Sequence, residues 1–258
     1  MTNNLSGILK TARRAAMAGA DVIQKNYGIQ QDVRLKIDSQ SLVTETDLAA
    51  EAAVLHVLNN ESLYRILSEE SGASGRGDGP VWVVDPLDGT SNFARSFPFF
   101  TTSLALVDDD EILAGVIIDP IHNNEYFAVK GGGAFCNDRP IVQAIPLHPV
   151  PCLFLNHGSL PEDKLLYGEL TRQLASTYNL RKPGATALEL CSVAMGFFDG
   201  FICAGDEIWD YAAGAIIAEE AGSIFCNWHG GKWNGINNSI VVCRPELKSN
   251  LIKVLATL

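Results

Sequence analysis

Two aspartates three residues apart, Asp85 and Asp88, stand in the run Val81-Trp82-Val83-Val84-Asp85-Pro86-Leu87-Asp88-Gly89-Thr90-Ser91-Asn92-Phe93. The β-branched and aromatic stretch from Val81 to Val84 predicts a short buried strand that stops at Asp85-Pro86. Carboxylates at the end of a buried strand are costly to place, and a cation can hold them there. A hard divalent ion such as Mg²⁺ takes oxygen ligands, and Asp85, the Leu87 carbonyl and Asp88 could supply them from one turn. The same residues also suit an Asx-turn that needs no metal, so both interpretations stand on this segment alone.

Other acidic residues invite the same question. Glu69-Glu70-Ser71-Gly72 follows a short strand predicted over Tyr64 to Leu67 and opens a Gly/Ser-rich loop reaching Gly79. A solvated loop is one reading; a position beside Asp85 at neighbouring strand ends is the other. Thr46-Asp47 precedes an Ala- and Leu-rich helix, with Thr46 the expected N-cap and Asp47 in or beside the first turn. Asp210 falls in the first turn of the helix predicted over Trp209 to Ala221, where it complements the helix dipole and can also neighbour a phosphate or metal. Asp108-Asp109-Asp110 between two strands reads as a solvated turn. Gly131-Gly132-Gly133 lacks the Lys-Ser/Thr helix start of a phosphate loop and reads as a tight β-turn.

These groups must be positioned by alternating elements. A helix spans Leu5 to Tyr27 and ends at Gly28; strands are expected over Val33 to Ile37 and Leu42 to Thr44, with a polar turn from Asp38 to Ser41 between them. A hairpin joins Ser103–Val107 to Ile112–Ile118, and Glu125–Val129 extends it. The proline-rich segment from Ile145 to Val150 is the expected boundary between an N-terminal half, 1–145, and a C-terminal half, 146–258, of one domain. Beyond it come a strand over Cys152 to Leu155, a helix over Pro161 to Tyr178, a strand near Leu180, a helix from Gly184 through Met195, and strands over Phe198 to Cys203 and Ser223 to Cys226. Alternation of this kind predicts an α/β layer with helices covering the sheets.

The chain of 258 residues can bury a sizeable core. Its net charge of −11 argues against a nucleic-acid groove, and an acidic protein acting on an anionic substrate needs a cation to offset its own field. The six cysteines are scattered without a Cys-x-x-Cys pair, no apolar run reaches the length of a membrane span, and the first residues lack a basic start with an apolar core. A reduced, cytoplasmic protein is the expectation.

Taken together, Glu69-Glu70-Ser71, Trp82 to Phe93, Gly133-Ala134-Phe135-Cys136-Asn137 and Trp209-Asp210-Tyr211-Ala212-Ala213-Gly214 resemble the inositol monophosphatase family in order and spacing, and Val43-Thr44-Glu45-Thr46-Asp47 matches the segment before its second helix. The resemblance implies a layered αβαβα sandwich of the inositol monophosphatase/fructose-1,6-bisphosphatase type, a homodimer, and a lithium-sensitive phosphatase using two to three Mg²⁺ ions. It implies that Glu69, Asp85 and the Leu87 carbonyl bind one Mg²⁺, that Asp85, Asp88 and Asp210 bind a second, and that a third sits near Glu69. Asp47 and Thr90, with Glu69, would position and activate the attacking water, while Gly89 and Thr90 would present N–H groups to the phosphate. The five histidines fall outside these motifs and read as structural or surface groups.

The match departs from the family at the substrate end. Family members commonly carry a glutamate for substrate hydroxyls seven residues before the last metal aspartate, and counting back from Asp210 gives Cys203. Gly184-Ala185-Thr186 matches the segment that lines the substrate pocket. The substrate is expected to be a small phosphate monoester, nominally inositol monophosphate, with 3′-phosphoadenosine 5′-phosphate, histidinol phosphate or a sugar phosphate as alternatives on the same chemistry. The short turn between Ile37 and Leu42 resembles the simple monophosphatases. A non-catalytic regulatory homologue is the reading of another class.

Overall fold

The computed structural model describes residues 2–36, 42–75, 78–143, 146–235 and 239–257. Ile37, the turn at 38–41 and Ile145 lie outside the described residues. The chain opens with α1 (Thr2–Asn26), then an antiparallel ribbon of β1 (Arg34–Leu35) and β2 (Leu42–Val43), then α2 (Glu45–Glu61). A large sheet follows, built from β3 (Arg65–Ser68), β4 (Gly72–Ser74), β5 (Val81–Asp88), β6 (Thr101–Asp108), β7 (Glu111–Asp119), β8 (Asn124–Val129), β9 (Ala134–Cys136) and β10 (Arg139–Pro140). Its strand order is β10-β9-β8-β7-β6-β5-β3-β4, and among the described residues only β3 and β5 of this sheet pair in parallel. The short helix α3 (Thr90–Ala94) interrupts it after β5.

A second sheet is made from β11 (Cys152–His157), β12 (Asn179–Arg181), β13 (Gly200–Ala204), β14 (Ile224–Asn227) and β15 (Ser239–Cys243), in the order β12-β11-β13-β15-β14. Its helices are α4 (Pro161–Leu174), α5 (Thr186–Ala194), α6 (Ile208–Glu220) and α7 (Lys248–Leu255).

Helices cover both sheets on both faces, which explains why the central strands read as continuous apolar runs. Trp82 and Val84 of β5 face Ile8, Ala12, Val54 and Leu58 of α1 and α2, while Val83 faces the layer of α5 and α6. That middle layer also meets Phe154, Phe201, Ile240 and Val242 of the small sheet. On the outer face, Leu153, Leu155 and Val241 pack against Leu170 and Leu174 of α4 and Leu251 and Leu255 of α7. The stack is α1α2, large sheet, α5α6, small sheet, α4α7, an αβαβα sandwich. Its middle layer is thin because its residues are small. A Cβ at Gly115 of β7 would stand 2.7 Å from the Ala213 carbonyl and 2.8 Å from the Ala213 Cα, so α6 rides directly on that strand.

Three local expectations change. The central strand does not stop at Asp85-Pro86: β5 runs to Asp88, with its register against β6 shifting between Asp85 and Asp88. The irregularity spares Pro86, which has no N–H to donate, a ladder position, and its carbonyl accepts from the Thr102 hydroxyl at 3.0 Å. The cap of α2 is Thr44 rather than Thr46, and Glu45, Thr46 and Asp47 make its first turn. The expected loop after Glu69-Glu70 begins instead with an edge strand, since Gly72 to Ser74 pair with Ser68 to Ile66.

Candidate active site

The turn after β5 is shaped by Gly89, whose φ of +90° is strained for any residue with a Cβ. A Cβ there would also lie 2.9 Å from the Phe99 carbonyl and 3.0 Å from the Ala185 Cβ. Gly89 caps α3 and sends Thr90 into its first position. The Thr90 hydroxyl sits 2.7 Å from Asp47 Oδ1 and 3.1 Å from the Leu87 carbonyl. Asp85 Oδ1 accepts from the Leu87 N–H at 3.0 Å, a local Asx-turn inside a buried strand.

Asp47 arrives from the other side of the sheet. It is the third residue of α2 in a reciprocal capping box, where Oδ2 accepts from the Thr44 N–H at 2.8 Å and from the Thr44 hydroxyl. Its remaining oxygen is left for Thr90. Capping and site-building are thus done by the two oxygens of one carboxylate.

Glu69 lies just past β3, with its N–H on the Val84 carbonyl at 3.1 Å, which sets it beside the end of β5. Its side chain meets Lys36, whose Nζ stands 2.6 Å from Glu69 and 2.7 Å from Glu70. Glu51 of α2 pins the same turn by accepting from the N–H and hydroxyl of Ser71, each at 3.0 Å.

The C-terminal half closes the site. Asp88 accepts from the first N–H groups of α5, Thr186 at 3.1 Å and Ala187 at 2.8 Å. Asp210 is the third residue of α6 and accepts from the Glu207 N–H at 2.8 Å. Asn92 of α3 donates to the carbonyls of Phe99 and Pro183, both at 2.9 Å, and of Gly184 at 3.2 Å, tying the Gly184-Ala185-Thr186 loop to the Thr90 turn. Cys203 behaves differently from its expected role. Its side chain has no exposed surface, and its sulfur accepts from the Asp206 N–H at 3.1 Å, which fixes the turn between β13 and α6.

The electrostatics of this cluster are those of anions short of a counterion. Burial, then Glu69, Asp88 and Asp210, hold the Asp85 carboxyl well above its usual range. Burial, then Asp206, Glu69 and Asp88, do the same to Asp210. Burial pushes Asp88 up to about 7 against the Ala187 N–H, with Glu69 and Asp206 adding to the rise. Burial likewise raises Asp47 against its bonds from Thr44 and Thr90. Burial works against the Lys36 charge, but Glu69 and Glu70 outweigh it and hold that lysine above its ordinary value.

Among the described residues, no three acidic, imidazole or thiol groups are drawn around one common point. Glu69 is turned onto Lys36 instead, so the ammonium occupies the role of counterion. The donor chemistry fits a hard divalent cation: Glu69, Asp85, Asp88, Asp210 and the Leu87 carbonyl are all oxygen ligands whose mutual repulsion such an ion would relieve.

Of the residues singled out from sequence, Asp47, Glu69, Asp85, Leu87, Asp88, Gly89, Thr90, Gly184, Ala185, Thr186 and Asp210 gather around this turn, and Cys203 stays behind it. Sequence reasoning missed Lys36, Asn92, Asp206 and Glu189. Glu189 carried a signal, a lone acid in the apolar run Ala187-Leu188-Glu189-Leu190-Cys191. It is fully buried and binds the Gly184 N–H and the Asn156 amide, each at 2.9 Å.

Comparisons with known proteins agree with this geometry. Residues 4–258 match the inositol monophosphatase family. The chain is 32% identical to a Nus factor SuhB from Pasteurella multocida, covering 96% of this chain and 95% of that one. It is also 32% identical to an inositol monophosphatase from Mesembryanthemum crystallinum, covering 96% of each. The solved structure of the extragenic suppressor protein suhB from Bartonella henselae superposes with a TM-score of 0.87 at 31% identity, covering 96% of this chain and 98% of that one. From its fourth residue to its last, the chain belongs to the inositol monophosphatase family, whose relatives here include proteins named as phosphatases.

Proposed function

We propose that this phosphatase is a Mg²⁺-dependent phosphomonoesterase that hydrolyses a small phosphorylated metabolite by direct attack of water. The observation that carries the reading is the pairing of two arrangements around one turn. The buried Asp85 and Asp88 and the half-buried Glu69 and Asp210 repel one another, and beside them stands the Thr90–Asp47 hydrogen bond. Glu69, Asp85, the Leu87 carbonyl, Asp88 and Asp210 would hold two to three Mg²⁺ ions. Bound there, the metal would neutralise phosphate oxygens, acidify a water and stabilise the leaving alkoxide.

The chain's own groups do the rest. The Thr90 hydroxyl, fixed by Asp47, orients the attacking water and passes its proton toward that carboxylate. The N–H groups of Gly89 and Thr90 face the phosphate. Thr186 and Ala187 hold Asp88 so that it cannot swing away. Gly184, Ala185 and Thr186 line the leaving-group side, with inositol monophosphate the nominal substrate and 3′-phosphoadenosine 5′-phosphate, histidinol phosphate and sugar phosphates the alternatives. The assignment extends to a cytoplasmic homodimer sensitive to lithium; no helix among the described residues is long and apolar enough to cross a membrane.

The test is phosphate release from a panel of these esters with Mg²⁺, with EDTA and with added Li⁺. Release that needs Mg²⁺, falls with Li⁺ and is lost in Asp88→Asn supports the reading. Turnover undiminished by EDTA or by Asp88→Asn rejects it. A regulatory role is the second reading, favoured by the relative named as a Nus factor. Mg²⁺ binding without turnover of any ester would move the assignment there.

A further inference from the structure

We propose that Lys182, seated on the ring of Tyr167 beside the leaving-group side of the site, takes a second anionic group on the substrate. The preferred esters are then those that carry a further phosphate or carboxylate. The inference rests on the phosphomonoesterase reading and narrows its substrate class.

Lys182 follows the short strand β12 and precedes the Pro183–Ala185 loop into α5. Its Nζ stands 4.5 Å from the centroid of the Tyr167 ring, and the His157 ring packs edge-on against the same tyrosine at 4.9 Å. The residue as a whole is exposed, yet its ammonium is desolvated enough for burial to pull its pKa below the ordinary lysine value. Desolvating an ammonium is unfavourable unless an anion compensates it. The titratable groups whose charge acts on it are Asp206, Glu189, Cys203 and Lys164. Among the described residues none of the carboxylates forms an ion pair with it, because both nearby acids are engaged elsewhere. Asp206 accepts from the Thr186 hydroxyl at 2.9 Å, and Glu189 accepts from the Gly184 N–H and the Asn156 amide.

The position of this cation matches a substrate spanning the site. The Pro183 and Gly184 carbonyls are bonded to Asn92, two residues beyond Thr90, and the N–H of Thr186 is bonded to Asp88. Four residues of chain reach at most about 14 Å, so the Lys182 backbone lies within that distance of Thr186, whose N–H holds Asp88. The position of the missing family glutamate is filled by Cys203, whose sulfur is sealed in the core, so a neutral polyol finds no acceptor there. In a chain of net charge −11, a second anion is repelled over most of the surface, and Lys182 gives it a local partner.

The experiment compares kcat/KM within matched pairs: fructose 1-phosphate against fructose 1,6-bisphosphate, and glycerol 2-phosphate against 2-phosphoglycerate. Wild type, Lys182→Met and Lys182→Arg are assayed with Mg²⁺, with thermal melts to check folding. The wild type is expected to favour the member carrying the second anionic group in at least one pair by about tenfold or more, chiefly through KM. Preference in the first pair alone identifies phosphate as the group bound; preference in both identifies any anion. Lys182→Met should erase the preference while leaving the members with a single anionic group within about twofold, and Lys182→Arg should keep most of it. No preference in the wild type, or an equal loss on both members in Lys182→Met, overturns the inference while the phosphatase reading stands. Absence of turnover on every ester would remove the phosphatase reading and this inference together.

Discussion

Raising the pH of the metal-free protein should lower its stability, and Mg²⁺ should restore it. The sign follows from Asp88, raised from an ordinary 3.8 to about 7, first by burial. A folded chain that binds this proton more tightly than the unfolded chain is favoured at low pH. The advantage is lost as pH climbs from about 4 to about 7 and stays lost above that. A rise of about 3 units at about 1.36 kcal/mol each corresponds to about 4 kcal/mol. For a chain of this size that amounts to a Tm drop of about 10 °C. Asp85 and Asp210 shift in the same direction, also chiefly by burial. Mg²⁺ at a hundredfold excess over its Kd would return about 2.7 kcal/mol, and more near neutrality than at low pH, where protons compete for the same oxygens. The assay is thermal melting in EDTA and in Mg²⁺ across pH 5 to 7.5. Asp88→Asn, which removes the charge and keeps the shape, should flatten the EDTA curve and raise the Tm near neutral pH while abolishing turnover. An EDTA curve that is level or rises with pH, or a Mg²⁺ shift equal at both ends, would refute the reasoning.

Three further outcomes are expected. Thr90→Val should lower kcat by about a hundredfold or more with little change in Tm, because it severs the Asp47 contact, and Thr90→Ser should recover most of the loss in the same phosphate-release assay. Gly115→Ala should cost about 1–3 kcal/mol, read as a lower calorimetric Tm, since its methyl would press into the Ala213 backbone. Thr44→Ala should remove about 1 kcal/mol of stability by uncapping α2, and it should also reduce kcat, since Thr44 anchors the oxygen of Asp47 that Thr90 does not use.

The strand–turn–helix around Asp85 was legible because everything that shapes it is local: an apolar run, a proline, a glycine at positive φ and a helix start. Asp210 was legible for the same reason, as a first-turn acid on an apolar helix. What escaped was set by distant partners. Pro86 looked like a strand end because sequence does not show that β6 yields its register there. Thr46 looked like the cap, yet the box forms between Thr44 and Asp47, whose Oδ2 accepts from the Thr44 N–H and hydroxyl. Lys36 carried no signal at all, since its partners Glu69 and Glu70 are far along the chain. Cys203 was read as a pocket residue from its place in the pattern, but an apolar strand flanked by helices turned its sulfur inward. Layer order followed from alternation of elements; register, caps and ion pairs depend on tertiary packing that leaves little trace in one sequence.

Helix α6 lies between the two sheets, touching Val83 and Ala105 of one and Phe201 and Val242 of the other through a single core. That has a consequence for the order in which the molecule matures. Asp47, Glu69, Asp85 and Asp88 are all synthesised with the first sheet, but Asp210 rides on α6, which is made only after β13 and whose second face is covered only when the second sheet has formed. A ribosome-bound chain ending near residue 140 would hold most of the carboxylates and none of the closure. The full set of clustered carboxylates is therefore gathered at a late assembly step, after both sheets have packed on α6.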